Sequence, residues 1–434
     1  MIEALRNAWK LPDLRRRLLY TLLILVVFRL ASNIPVPGVD RLALQQLLAG
    51  GSPTGQVLNL LDMLSGGAVA NFSVLAAGVS PYVTATLVLQ LLVPIFPRLE
   101  ETLREEGEEG QRRMNQWTFF LTVPLALLYS FGLAQSLSAQ ANILPNFGLG
   151  QGQLLTTATV LVTMTAGTMF AVWLGELITE QGIGNGLSLI IFGGIVSRVP
   201  ANVAQIWAGD NPIVGLIVFV AIMVLTMLVI VYVQEGERRI KVQYGKRVRG
   251  MKVYGGGTTY IPLKVNTAGM IPLIFAQSIL SFPAVIAQFF VASNNPTVQR
   301  IAASLVEFFS GSNPYYVPLY FLAVVGFTYF YTDVMVQQQN LPEMLQRQGG
   351  FIPGVRPGKR TEIFINSVYR RITLVGALFL GMVAVLPFIV GFVMDTNVML
   401  IGSSGLLIVV GVVVDTMRQL EAQLLMRHYE GFLR

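Results

Sequence analysis

The chain has 434 residues, of which 53% are hydrophobic and 12% charged, and its 30 Lys and Arg outnumber 23 Asp and Glu. A bilayer core about 30 Å thick takes about 20 mostly apolar residues per helical crossing, so this composition supplies many crossings and reads as a polytopic membrane protein. Cysteine is absent and the one histidine, His428, lies in the C-terminal tail. That excludes disulfides, iron–sulfur clusters and thiolate zinc sites, and leaves metal or nucleophile-triad catalysis without its usual residues. No cofactor or metal is expected. The apolar runs are continuous rather than alternating, which favours helices over a transmembrane barrel, and the expected fold class is all-α.

Met1 to Arg17 reads as a charged, amphipathic prelude with no small-residue cleavage site, retained rather than removed as a signal peptide. Ten apolar runs follow, at 18–33, 72–96, 114–137, 154–176, 186–206, 212–233, 267–291, 315–336, 372–394 and 398–418. Ten crossings place both termini on one side. Every Lys and Arg except Arg29, Arg41, Arg198 and Arg300 precedes the first run, falls in the connections 97–113, 234–265 or 337–371, or lies at or beyond the end of the last run. The positive-inside rule makes those segments cytoplasmic. A balanced ten divides into two five-helix halves, 1–206 and 207–434, the second entering the membrane from the opposite side as in an inverted-topology repeat. That division rests on span number and spacing, since the halves show no residue-by-residue echo.

Four connections stand out in chain order. Residues 57–71, VLNLLDMLSGGAVAN, are apolar but too short to cross and are broken by Asp62, Ser65, Gly66 and Gly67. Composition leaves open a re-entrant half-helix lining a cavity or an amphipathic helix lying on the outer surface. The connection 97–113 mixes six glutamates with four arginines and reads as a solvated surface. Residues 234–265 carry eight Lys or Arg that alternate with Ile240, Val242, Tyr244, Val248 and Val253, the pattern of a protruding β-hairpin. Its basic surface suits an acidic partner such as RNA or an acidic protein face, or anionic lipid headgroups. Residues 337–371 place Gly349, Gly350, Pro353, Gly354, Pro357 and Gly358 around Arg356, Lys359 and Arg360, which predicts a shaped loop with an arginine at its tip. GIGNG at 182–186 has no preceding strand and no following lysine, so it is a tight turn opening the fifth run rather than a phosphate loop.

The middles of the ten runs hold no ionisable residue; Glu176, Arg198, Asp333, Asp395 and Asp415 sit near the run ends. Ion-coupled transport needs a group that binds and releases the driving ion near the midplane, and an intramembrane hydrolase needs a polar dyad in mid-span. The sequence offers neither.

Five motifs in order, NLLDMLSGGA at 59–68, GVSPYVTATLVLQLL at 78–92, WLGELITEQGIGNGLSLIIFGGIV at 173–196, PLKVNTAGMIPLIFA at 262–276 and FIPGVRPG at 351–358, resemble those of the SecY family, the central subunits of bacterial protein-conducting channels. The likeness covers essentially the whole chain. It implies two five-helix halves clamped around an hourglass pore, with the segment 58–71, including Asn59, Leu60, Leu61, Asp62, Met63, Leu64, Ser65, Gly66 and Gly67, as a re-entrant plug. It also implies a pore ring of Val79, Val83, Leu187, Ile191, Ile274 and Leu406. A lateral gate would open between the second and third runs and the seventh and eighth, with Gln90 and Asn266 at the seam. The resemblance further implies that Arg238, Arg239, Lys246, Arg247, Arg249, Arg356 and Lys359 dock a SecA motor or a ribosome. The chain would work with small SecE and SecG subunits in the cytoplasmic membrane and pass unfolded preproteins across, releasing signal sequences sideways into the lipid bilayer. No nucleotide-binding motif is present, so energy must come from such a partner. Independently of the resemblance, i and i+4 pairs such as Val79/Val83 and Leu187/Ile191 share a helix face, and without it they read as ordinary interhelical or lipid-facing aliphatics.

Overall fold

The computed structural model describes residues 9–40, 68–69, 71–93, 96, 108–141, 144, 147–148, 153–207, 212–249, 252–255, 257–291, 295–309, 313–339, 341–394 and 403–432. Each of the ten apolar runs holds a helix. In chain order these are α1 (Pro12–Ala31), α2 (Ser80–Leu92), α3 (Glu108–Ala141), α4 (Leu154–Gln181), α5 (Gly186–Trp207), α6 (Pro212–Gln234), α7 (Ile271–Val291), α9 (Tyr316–Gln339), α11 (Lys359–Met394) and α12 (Ser403–Phe432), with α8 (Pro296–Phe308) and α10 (Leu341–Arg347) in connections. Strands β1 (Glu237–Tyr244), β2 (Lys246–Arg249), β3 (Lys252–Gly255) and β4 (Thr258–Lys264) lie between α6 and α7, and β5 (Gly350–Phe351) follows α10.

By length and composition, and among the described residues, Arg112–Gln135, Leu154–Gln181, Tyr316–Arg347 and Lys359–Leu386 are long and apolar enough to cross a membrane. The chain is therefore a multi-pass helical membrane protein. Its helices carry large apolar side chains on their outer faces: Leu22, Leu23 and Leu30 of α1, and Ile213, Ile217, Leu225 and Leu228 of α6, are all more than half exposed. A helix apolar on every side has one natural solvent, hydrocarbon.

Three run boundaries move most. The second run was expected from residue 72, but α2 begins at Ser80, because residues 71–79 form turns around a β-bridge between Ser73 and Pro35, Gly78 takes φ 56°, and Pro81 then sits in the first helical turn. A proline there gives up only an N–H that the helix leaves unpaired in any case. The described part of α2, 13 residues, is about 20 Å long. Conversely α11 has 36 residues, about 54 Å, so it overshoots a hydrocarbon core and its first turns belong to the basic connection before it. Likewise α12 continues to Phe432, which puts Asp415 inside a helix rather than near an end.

The chain folds as two compact units. The first comprises Met1–Leu216, Gln277–Val317 and Val412–Arg434; the second comprises Ile217–Ala276 and Pro318–Gly411. In the first unit α4 packs against α1, α3 and α5, and α2 packs on α3. The buried face of α3 repeats every four residues as Thr118, Thr122, Ala126, Ser130 and Ala134. Small side chains let helix backbones approach where lipid offers no hydrophobic drive for association, and the hydroxyls of Thr118 and Thr122 donate back to the carbonyls of Met114 and Thr118 at 2.9 and 2.6 Å. On α4 the equivalent surface is Thr157, Met164, Gly167, Thr168, Ala171, Gly175 and Ile178. A Cβ on Gly167 would collide with the carbonyl of Val74, so this helix lies directly on the turns that precede α2.

Gly167→Val should therefore lower the stability of the purified protein by about 1–3 kcal/mol, the usual cost of overpacking, read as a lower unfolding midpoint in detergent. Gly326 in α9 has open space where a Cβ would go, and Gly326→Ala should be neutral or stabilise by up to about 1 kcal/mol through helix propensity.

Candidate functional site

The first aliphatic pair stands at the head of α2. Its approach is a knot of turns: Ser73 N donates to Ala68 O at 2.8 Å, Phe72 N to Val69 O at 2.9 Å, Ala76 N to Ser73 O at 2.9 Å and Gly78 N to Leu75 O at 2.8 Å. Residues 34–36 pin the knot from outside, Val36 N donating to Phe72 O at 3.0 Å and Val74 N to Ile34 O at 2.9 Å. Phe72 adopts a left-handed φ of 39°, unlike any other non-glycine among the described residues. Its side chain is fully buried against Val36, Val69, Leu133, Leu144, Phe147 and Met164, and that packing offsets the backbone strain. Val79 follows, buried, and Val83 N donates to its carbonyl at 3.0 Å, so the two side chains share a face, Val83 half-buried.

The second pair heads α5. Gly184 takes φ 88° in the turn before it. Asn185 Oδ1 then accepts from Ser188 N at 3.1 Å, and Thr179 Oγ1 accepts from Gly186 N at 2.9 Å. A Cβ on Gly186 would strike the carbonyl of Gly175, and one on Gly175 would meet Leu187 Cδ2 at 3.0 Å. Two glycines thus seat the start of α5 on α4 and press Leu187 to its surface. Ile191, one turn on, is buried. The turn itself is tied to α1, with Ile183 N donating to Thr21 Oγ1 at 3.3 Å and Ile183 packed between Leu14 and Leu420.

In the second unit Ile274 is half-buried one turn into α7, and Leu406 is buried in α12 beside Leu407 and Ile408. The six positions are divided between the units, Val79, Val83, Leu187 and Ile191 in the first and Ile274 and Leu406 in the second. Asn266 is buried; its Nδ2 donates to Gly269 O at 3.0 Å, while its Oδ1 is buried without a partner among the described residues. Gln90 in α2 likewise buries an unpartnered Oε1. Gln234, at the end of α6, shows the same feature, and nothing in its sequence context marked it out. Asn59, Leu60, Leu61, Asp62, Met63, Leu64, Ser65, Gly66 and Gly67 lie outside the described residues.

The basic connections form one structure. The expected hairpin is present as an antiparallel β1–β4 ladder, with Arg238 opposite Leu263 and Val242 opposite Thr259. A separate β2–β3 hairpin at its end sets Lys246 opposite Gly255 and Arg249 opposite Lys252. Against the other edge of β1 lies β5, Gln243 opposite Phe351 and Tyr244 opposite Gly350. Ile240, Val242 and Leu263 share a core with Val336, Leu345, Ile352, Ile365, Val368 and Tyr369. A two-residue strand carries no periodicity, so the sequence showed two loops where the fold has a single module.

On its surface Arg238, Arg239 and Lys241 are exposed, and Arg239 Nε pairs with Glu237 Oε1 at 2.6 Å. The side chains of Lys246, Arg247 and Arg249 are outside the described residues, but their backbone lies in β2. Arg356 crowns a turn bounded by Gly354 (φ 84°) and Gly358 (φ 100°). Val355 N donates to Ile352 O at 3.0 Å, and Thr361 Oγ1 donates to Arg356 O at 3.1 Å. The guanidinium of Arg356 and the ammonium of Lys359 are exposed and make no ion pair or hydrogen bond with the described residues. The turn holds the arginine by its backbone and leaves its charge available.

Comparison with known proteins shows the family of the chain. A family model described as SecY matches residues 73–417. The chain belongs to the SecY family. Members named protein translocase subunit SecY include that of Thermotoga maritima, 41% identical over all of this chain and 98% of that protein. The Thermus thermophilus subunit is 42% identical with the same coverage. Among solved structures, one described as a protein-conducting channel aligns with a TM-score of 0.59 and 17% identity over 94% of this chain and 92% of that one. A second, concerned with the plug domain of the SecY protein, gives 0.64 and 16% with the same coverage. The SecY-family fold is therefore common to the whole chain, and the aliphatic positions, Gln90, Asn266 and the basic module all fall within the family match.

Because one core serves both connections, Val242→Asp should unfold them together. A buried, unpaired carboxylate at that site costs about 2–5 kcal/mol, and trypsin should then cut quickly both at Arg238 to Lys264 and at Arg347 to Arg360. Arg239→Ala, at the exposed surface, should leave the rest of the digestion pattern unchanged.

Proposed function

We infer that this chain is the channel-forming subunit of a protein translocase, a passive path through which unfolded polypeptide crosses a membrane and hydrophobic segments leave sideways into lipid. The observation that carries the reading is the full-length match to protein translocase subunits at 41–42% identity. The chain would contribute no catalysis; a bound partner supplies the energy.

On this reading Val79, Val83, Leu187, Ile191, Ile274 and Leu406 line the constriction of a pore between two five-helix halves, 1–206 and 207–434. Aliphatic walls suit the task because they exclude ions by dewetting and touch any passing side chain without a specific hydrogen bond. Residues 59–67 close that constriction from outside. Gln90 and Asn266 latch the lateral gate: each buries an amide oxygen without a partner among the described residues, so each has an acceptor to offer across a helix seam. Contacts of that kind contribute about 0.6–2 kcal/mol, enough to hold a gate and little enough to release it.

The protein resides in the cytoplasmic membrane with both termini in the cytoplasm, because that orientation puts the basic module, the prelude and the tail on the positive-inside side. SecE and SecG are its membrane partners. The module receives a SecA motor or a ribosome, a role supported by an exposed Arg356 on a rigid turn beside the basic sheet. A solved structure described as Sec61 in a canine ribosome–channel complex aligns with 96% of this chain at a TM-score of 0.55.

Three measurements test the reading. A translocation-stalled preprotein should crosslink to cysteines introduced at Val79 and Ile274, and Ile191→Gly should raise ion conductance in reconstituted bilayers; no crosslink at either site together with unchanged conductance would overturn the pore assignment. Arg356→Glu should abolish most motor-driven translocation while leaving expression, folding and the tryptic pattern of the module intact. Wild-type rates in that variant would remove Arg356 from the docking surface.

A further inference from the structure

Helix α8 connects α7 to α9 and does not span. It opens with Asn295 as N-cap, whose Oδ1 accepts from Thr297 N at 3.1 Å, followed by Pro296 at the first helical position. Its 13 residues divide into three sectors at 100° per residue. Ala302 and Val306 are buried. Gln299, Arg300, Ala303, Ser304 and Glu307 form an exposed, mainly polar sector. Between the two runs a third, Ile301, Leu305 and Phe308, at i, i+4 and i+7, which is apolar and yet 57%, 41% and 38% exposed.

A connection between two membrane helices must begin and end at one membrane surface, so α8 is held at an interface by its own chain. There a flat helix meets three surroundings at once: protein on one flank, water above and acyl chains below. The three sectors match them one for one. Aromatic residues follow it, Phe309 edge-on to Phe308 at 5.1 Å and Tyr315 exposed just before α9, and aromatic side chains favour a headgroup boundary. The sector's charges, Arg300 and Glu307, cancel, so apolar burial rather than attraction to anionic headgroups would hold it.

We propose that α8 is an interfacial helix that inserts Ile301, Leu305 and Phe308 among the acyl chains of the adjacent leaflet, anchoring the α7–α9 connection to lipid. This inference does not rest on the channel assignment, since it needs only that α7 and α9 enter the membrane.

The absence of cysteine from the chain permits a direct test. Single cysteines at Gln299, Ile301, Ala303, Ser304, Leu305 and Phe308 in the full-length protein, reconstituted into phosphatidylcholine vesicles, are labelled with an environment-sensitive fluorophore. Doxyl-labelled lipid should quench 301, 305 and 308 several-fold more than 299, 303 and 304, and an aqueous quencher should show the reverse order. Adding phosphatidylglycerol or salt should leave the pattern unchanged. Equal aqueous access at all six positions would overturn the proposal, as would protection of 301, 305 and 308 from both quenchers, which would mean that protein covers them. A pattern that appears only with anionic lipid would also overturn it, by showing electrostatic rather than apolar attachment.

Discussion

The architecture depends on how closely helix backbones can approach. In hydrocarbon, apolar side chains gain nothing by leaving lipid for one another, so association rests on dispersion contacts that small residues permit. Gly167 against the carbonyl of Val74 and Gly186 against that of Gly175 are the tightest such contacts in the first unit. Each fixes the head of a helix that carries an aliphatic pair. The position of Val79 therefore depends on Gly167 of α4, and that of Leu187 on its neighbour Gly186 and on Gly175 of α4.

Polar groups are handled by the same economy. Thr118, Thr122, Thr165 and Thr328 return their hydroxyl protons to carbonyls four residues back, which satisfies them inside their own helices. The exceptions are the hydroxyls of Ser130 and Thr168 and the amide oxygens of Gln90, Gln234 and Asn266, which are buried without a partner among the described residues. A buried acceptor left open is costly when idle and useful when something arrives to fill it.

The two groups of residues proposed for function differ in the physics they would use. The aliphatic positions offer neither charge nor hydrogen bond, which suits contact with many sequences. The basic module offers charge on a sheet packed against a helix, which suits recognition of one acidic surface. There Ile240, Val242 and Leu263 share a core with the first turns of α11, so a load on Arg356 reaches a helix about 54 Å long.

The hydropathy pattern determined that this is a helical membrane protein, because repeated apolar runs of about 20 residues, with most Lys and Arg in alternate connections, match helical crossings of a bilayer. Local pattern placed the ten helices, the alternating β1 and the GIGNG turn, each of which depends on residues near in sequence. The motif order identified the family. The start of α2 at Ser80 was hidden, since residues 72–79 read as apolar like the helix they precede, while in the fold they form turns tied to residues 34–36. The union of two basic loops through Gly350 and Phe351 was hidden as well, because it depends on residues about a hundred positions apart. So was the division of α8 into three sectors, for exposure is a property of neighbours. What depended on sequence spacing was legible; what depended on which distant surfaces meet was decided by the tertiary structure.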